Sequence, residues 1–297
     1  MGFCARMLPL SVLLGTLMLL GAGCATSRTS GWEKGSEQVT LSDKDKKELE
    51  GKAQVHWSKR YVKEDLLKFI DAYETLSKAE QNNYKYLVAL CRGYYLLADG
   101  HTADIEQKKL LWEKGVTFGE RAMATNPAFK AKVVAEEGKV EAALDTLTKN
   151  EVEAIYWSAV NLGKWGRAAG IATVLKYKTR IKEMINRVGA LEPTFFYGAV
   201  ERYWGAYYAV APSFAGGDLN KSEASFKKSL ELQKEYLGTY VLYAELYATK
   251  KGDKKLFEEK LNYVLKADAH KIQDIAPENL IEQEKARNLL KREEELF

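Results

Sequence analysis

The chain is poor in the residues that most often carry chemistry: of its 297 residues, three are cysteine, three histidine and five proline. Cys4 and Cys24 lie on either side of an N-terminal apolar run, so Cys91 is alone in the body of the chain and no disulfide framework is available. Its apolar helical surroundings read as those of a buried, inert thiol. His56, His101 and His270 stand apart, with no His-x-x-x-His pair and no Cys/His cluster, so no metal site is expected. A Gly-x-Ser-x-Gly elbow and a Gly-x4-Gly-Lys-Ser/Thr loop are both missing. The expectation is therefore no catalytic residues and no cofactor. Charge is nearly balanced at +4, and falls to +3 if Arg6 is removed with a signal segment. That is too small an excess to argue for nucleic acid.

What the N-terminus does contain is informative. A short basic start precedes Met7 to Leu20, about 14 almost wholly apolar residues, too few to span a bilayer comfortably. Gly21, Ala22 and Gly23 then lead to Cys24, as small residues do in a secretory signal. The run resembles a bacterial lipoprotein signal, with residues 1–23 removed and Cys24 acylated; it departs from that pattern in having Gly21 where an aliphatic residue is usual. Two or three acyl chains make a stable anchor where one would be marginal. Ala25 rather than Asp after the cysteine favours the outer membrane. Residues 24–40, rich in Ser, Thr and Gly, read as the acylated cysteine and a flexible tether.

From residue 41 to 297 the pattern is helical throughout, without a sustained alternating segment that would need a sheet. Ser42 with Asp45 is a capping pair opening the first helix. Apolar stripes mark further helices, with breaks near Asn126-Pro127 and Glu192-Pro193 and a short helix from Lys139 to Leu147. Paired helices broken every 30 to 40 residues or so imply an all-α fold, a right-handed helical-hairpin solenoid of degenerate tetratricopeptide-like repeats. Ala122 with Pro127, and Tyr243-Ala244 with Tyr247, resemble positions of that repeat. In this register the helices lining the concave face are Tyr84–Ala98, Glu153–Trp165, Phe195–Ala211 and Tyr236–Thr249, all rich in Tyr or Trp.

The densest stretch is Leu191–Ser222. Phe196, Val200, Trp204 and Tyr208 stand four apart, as one helical stripe would. Gly198, Gly205 and Ala209 make a small face for close packing. Two faces stand out as a ligand or partner groove: Trp157, Asn161, Lys164 and Trp165 on one helix, and Tyr197, Glu201, Trp204 and Tyr208 on another, with Arg202 beside them. Aromatic walls with few polar groups suit a small organic ligand, and equally a peptide or partner helix. Ordinary packing between hairpins accounts as well for any single residue. Gly216-Gly217-Asp218 invites a phosphate-loop reading, but a carboxylate there better serves as the cap of the next helix.

AIYWSAVNLGKWG at Ala154–Gly166 and LEPTFFYGAVERYWGAYYAVAPSFAGGDL at Leu191–Leu219, with the lipoprotein start and the degenerate repeats, resemble the T-component family of tripartite ATP-independent periplasmic (TRAP) transporters. Pro212, Phe214, Gly216, Gly217 and Asp218 form the most specific motif. The resemblance implies a periplasmic lipoprotein of tetratricopeptide-like fold that pairs with the substrate-binding P-component and assembles as a homo-oligomer, a trimer in this family. It implies a conduit or adaptor, not an enzyme, and names no ligand. A general helical-repeat scaffold for envelope assembly is the other reading, weakened because Asn161 and Arg202 are too few for a peptide-binding polar ladder.

Overall fold

The fold is set by short polar caps between amphipathic helices. The computed structural model describes residues 25–34 and 37–297; the signal expected at 1–23 and the acylation expected at Cys24 lie outside those residues. The helices are α1 (Asp43–Ser58), α2 (Lys63–Ala79), α3 (Tyr84–His101), α4 (Ile105–Met123), α5 (Pro127–Ala135), α6 (Val140–Ala143), α7 (Val152–Ala169), α8 (Ile171–Leu191), α9 (Phe195–Val210), α10 (Leu219–Leu232), α11 (Gly238–Leu242), α12 (Thr249–Lys251), α13 (Lys254–Lys266), α14 (Ala276–Lys291) and α15 (Glu293–Leu296). A π-helix, Tyr243–Ala248, joins α11 to α12. No strand occurs among the described residues.

Side-chain caps start helices where orphan N–H groups need acceptors. The Ser42 hydroxyl accepts from the Asp45 amide at 3.2 Å. Asn83, Asp104 and Asn126 do the same for α3, α4 and α5. Asn126-Pro127 thus opens a helix that the sequence pattern does not announce. Proline suits this first position because its missing N–H would have no intrahelical partner. The short helix expected from Lys139 to Leu147 forms as α6 and a 3-10 turn, Leu144–Thr146.

Short loops make α1/α2, α3/α4, α7/α8 and α9/α10 into packed hairpins, and α4 and α8 carry the packing on to α7 and α9. The largest core lies among α3, α4, α7 and α8, around Leu87, Val116, Met123, Leu162 and Met184. Asn161 belongs to this packing. Its amide donates to the Cys91 and Trp157 carbonyls, and Gly115 leaves it room, since a Cβ there would come within 2.5 Å. Cys91 is fully buried and burial raises its thiol pKa, in keeping with an inert side chain.

The last long helix folds back on the first hairpins. Glu278 of α14 is bound by Arg60 at 2.5 Å and by Arg92 of α3 at 2.6 Å. Lys285 of α14 meets Asp99 of α3 at 2.7 Å. Gly100 accommodates this closure, because a Cβ there would sit 2.9 Å from Ile281.

Two expectations are corrected. The tether proposed over 24–40 is not free at residues 25–34, which lie along α4 and α8 as a docked strap. The Arg28 guanidinium donates to Glu120 at 3.1 Å, the Gly31 amide donates to the same carboxylate at 2.6 Å, and Trp32 meets Phe129 edge-on at 6.2 Å. Composition suggested flexibility, but one arginine and one glycine find a fully buried acid. The second correction concerns α9. Phe196, Tyr197 and Gly198 have φ of 40, 58 and 74°, so Phe196 does not continue the stripe of Val200, Trp204 and Tyr208. Left-handed backbone costs roughly 1–2 kcal/mol per non-glycine residue. Arg202 offsets it by donating to the Tyr197 carbonyl at 2.9 Å and the Phe196 carbonyl at 3.1 Å, bonds to a charged group worth about 1.5–3 kcal/mol each.

Candidate ligand cavity

Closure by α14 encloses a cavity of about 400 Å³. Its wall draws on α3, α7, α9 and the stretch from Tyr236 to Leu246, with the first turns of α8 and the inner face of α14 completing it. All the helices expected on the concave face contribute. Tyr95, Tyr156, Trp157, Tyr203, Trp204, Tyr207 and Tyr236 supply the aromatic surface. Two clefts of about 810 and 700 Å³ lie on either side of Phe196 and Tyr197. They are more open to solvent; the smaller cavity is the more enclosed, and it too joins aromatic walls to charged side chains.

That charge has two parts. Asp99 accepts from Lys164 at 2.5 Å and from Lys285 at 2.7 Å, and Lys285 also reaches Glu282 at 2.9 Å. Burial pushes the Asp99 carboxyl upward, but the two lysines outweigh it and hold the group well below the usual carboxylate range. Burial lowers Lys285, and Asp99 with Glu282 more than reverse this, so it stays charged. For Glu282 burial wins over Lys285, and its carboxyl is raised. The second part is Arg202, 4% exposed. No carboxylate among the described residues pairs with it. Its partners are the Phe196 and Tyr197 carbonyls, the Tyr156 hydroxyl, the Thr239 hydroxyl at 3.5 Å and the Tyr236 ring, 4.1 Å below the guanidinium. Arg202 is thus a buried cation without a carboxylate partner, set over an aromatic face in the cavity wall.

The groove residues expected from sequence divide accordingly. Trp157, Lys164, Arg202 and Trp204 line the cavity. Trp165 does not: it faces the other way, with Tyr177 at 5.7 Å and the Arg28 guanidinium at 5.7 Å. Asn161 is in the α4–α7 packing described above. Glu201 turns to Lys228 on α10, 2.6 Å away, and Tyr208 stacks on Trp204 at 5.7 Å without reaching the cavity. One helical face can separate this way because a buried helix has neighbours on every side.

The loop after α9 forms part of the cavity mouth through Pro212 and Ala215. Asp218 accepts from the Asn220 and Lys221 amides at 2.9 and 3.1 Å and caps α10, as expected in preference to an anion loop. Gly216 is left-handed at φ 99°, and a Cβ on Gly217 would overlap the Ala211 carbonyl oxygen at 1.8 Å. These glycines are required by the backbone. Phe214 is 76% exposed and packs into nothing comparable.

Asp99, Glu282, Lys285 and most of the tyrosines were not singled out by sequence. Asp99 ends an apolar helix, in YLLADGH, and that isolated acid was a usable signal. Glu282 and Lys285 look like ordinary helix surface until α14 is seen to fold inward.

No curated protein shows significant similarity to the chain. A family model described as TRAP transporter T-component matches residues 61–297, which takes in α2 to α15 and every residue of the cavity. The chain belongs to the TRAP transporter T-component family.

Proposed function

We propose that the protein is a lipid-anchored periplasmic accessory of a TRAP-type uptake system, and that its cavity holds a small, partly apolar organic acid. The observation that carries this reading is Arg202, a buried cation in an aromatic cavity with no carboxylate partner among the described residues. A ligand carboxylate would meet Arg202, or share the ammonium groups of Lys164 and Lys285 with Asp99. Trp157, Trp204 and the tyrosines would cover its apolar part. The substrate-binding P-component is the partner that family membership suggests, receiving or delivering the acid. Hairpins in series suit the tetratricopeptide-like, right-handed solenoid, and a homotrimer follows from the family resemblance. Anchoring at Cys24, with residues 1–23 removed, follows from the sequence start. Outer-membrane sorting rests on Ala25.

Tryptophan fluorescence during titration with 3-phenylpropionate tests the ligand claim, the probe being an acid with an aromatic tail. Trp204→Ala is expected to weaken binding at least about tenfold, the loss of one well-buried aromatic contact. Trp165→Phe, on the far side of α7, is expected to leave it unchanged. Equal behaviour of the two variants, or no saturable binding by the wild type, would reject the cavity as the site.

A further inference from the structure

If Cys24 is acylated, the docked strap determines which part of the protein lies nearest the membrane. It runs along the first half of α8: the Thr26 amide donates to Thr173 at 3.0 Å on the first turn and Arg28 meets Glu120 beside Arg180 near the middle, while Trp32 sits against Phe129 of α5. Lys176 donates to Ser27 at 2.5 Å and adds a further tie there. Two peptide steps, through Ala25, separate Thr26 from Cys24, a reach of no more than about 7 Å. An acyl group on Cys24 must therefore enter its bilayer close to the start of α8. The same turns of α8 form one side of the cavity mouth through Ile171, Val174 and Lys178.

The mouth has the composition of a membrane-contacting surface. Ile171 is 52% exposed, Leu175 one turn on is 47%, Val210 is 40% and Phe214 is 76%. Arg167, Lys178 and Lys182 stand among them on the lining of the opening. Exposed apolar side chains bordered by cations match the headgroup region of a bilayer containing anionic phospholipid. We propose that this rim lies on such a surface, with Phe214, Val210, Ile171 and Leu175 entering the headgroup layer. The cavity then opens toward the bilayer rather than toward bulk water. The proposal rests on the anchoring at Cys24 and gives the exposed Phe214 of the family motif a role that packing does not.

The test uses the full chain, expressed with its signal and extracted from membranes. It is reconstituted in phosphatidylethanolamine–phosphatidylglycerol vesicles carrying brominated acyl chains. Phe214→Cys and Val134→Cys are each labelled with a fluorophore; Cys91 is buried and does not compete. Val134, 60% exposed on α5, lies toward the opposite end of α8, a helix about 30 Å long. Mass analysis of the N-terminal peptide reads acylation independently. Acylated Cys24 with strong quenching at position 214 and almost none at 134 is the expected result. Acylated Cys24 with equal quenching at both positions overturns the rim proposal and leaves the anchor standing. A Cys24 without acyl chains overturns the anchor, and the rim proposal with it.

Discussion

Two buried charge clusters in this molecule share one design and differ in what surrounds them. Glu120 lies between Arg28 and Arg180, at 3.1 and 2.7 Å; the three side chains are exposed by 1, 2 and 10%. Asp99 lies between Lys164 and Lys285, at 2.5 and 2.7 Å, and here the lysines are exposed by 34 and 25%. The first cluster is closed in protein and joins the strap to α4 and α8. The second faces a cavity. Arginines with a planar fork suit a permanent lock, while lysines on flexible stems can turn between one oxygen partner and another. Surroundings, more than the ion pair itself, separate a fastening from a site.

The largest effect that would test this contrast is in the closed cluster. Glu120→Ala strands the buried Arg180 guanidinium and leaves Arg28 only the more distant Glu113 carboxylate at 3.7 Å, and urea unfolding is expected to show a loss of about 3–5 kcal/mol. In the cavity cluster, Asp99→Asn leaves two ammonium groups that water can reach, and the expected loss is smaller, about 1–3 kcal/mol. If the two variants lost equal stability, the distinction between them would collapse.

Acid sharpens the comparison further, with a smaller effect. The folded-state carboxyls of Asp99 and Glu278 are depressed, Glu278 because Arg92 and Arg60 outweigh its burial. Their contribution to stability is full above the unfolded carboxylate range, roughly pH 4, and is lost as pH falls through the folded values. Glu282 is raised, so its contribution has the opposite sign: it is present at low pH and lost as pH rises through its folded value. Thermal melts between pH 7 and pH 3 should therefore fall less steeply for Asp99→Asn than for the wild type. Glu282→Gln should gain relative to the wild type at pH 7 and not at pH 3.

How far the sequence reveals this arrangement depends on the range of the interaction. Helix starts at Ser42 and Asp218 are local, and both are legible because the cap and its amides lie within three residues. The aromatic helices that line the cavity are legible too, since their excess of rings cannot be satisfied by one neighbour. The direction each ring faces is not: Trp157 and Trp165 are eight residues apart on one helix, and only the positions of Tyr177 and Arg28 decide that Trp165 leaves the cavity. The left-handed run at Phe196–Gly198 escapes propensity because Arg202, several residues later, is what stabilises it. Glu278 and Lys285 become cavity residues only through contacts with positions some 180 to 220 residues earlier, and Glu282 is carried in on the same helix. The strap escapes for the same reason, as its partner Glu120 is remote in the chain.

Calorimetric titration of the acylated mature chain with 3-phenylpropionate and with 3-phenylpropionamide tests the central claim most directly. The two probes have nearly the same shape and differ in the negative charge that Arg202 and the lysines would meet. Saturable binding of the acid, with the amide at least about tenfold weaker, is the predicted result, since losing a charge-assisted bond in a buried site costs more than 1.4 kcal/mol. Equal affinity for acid and amide would contradict an anion site in this cavity.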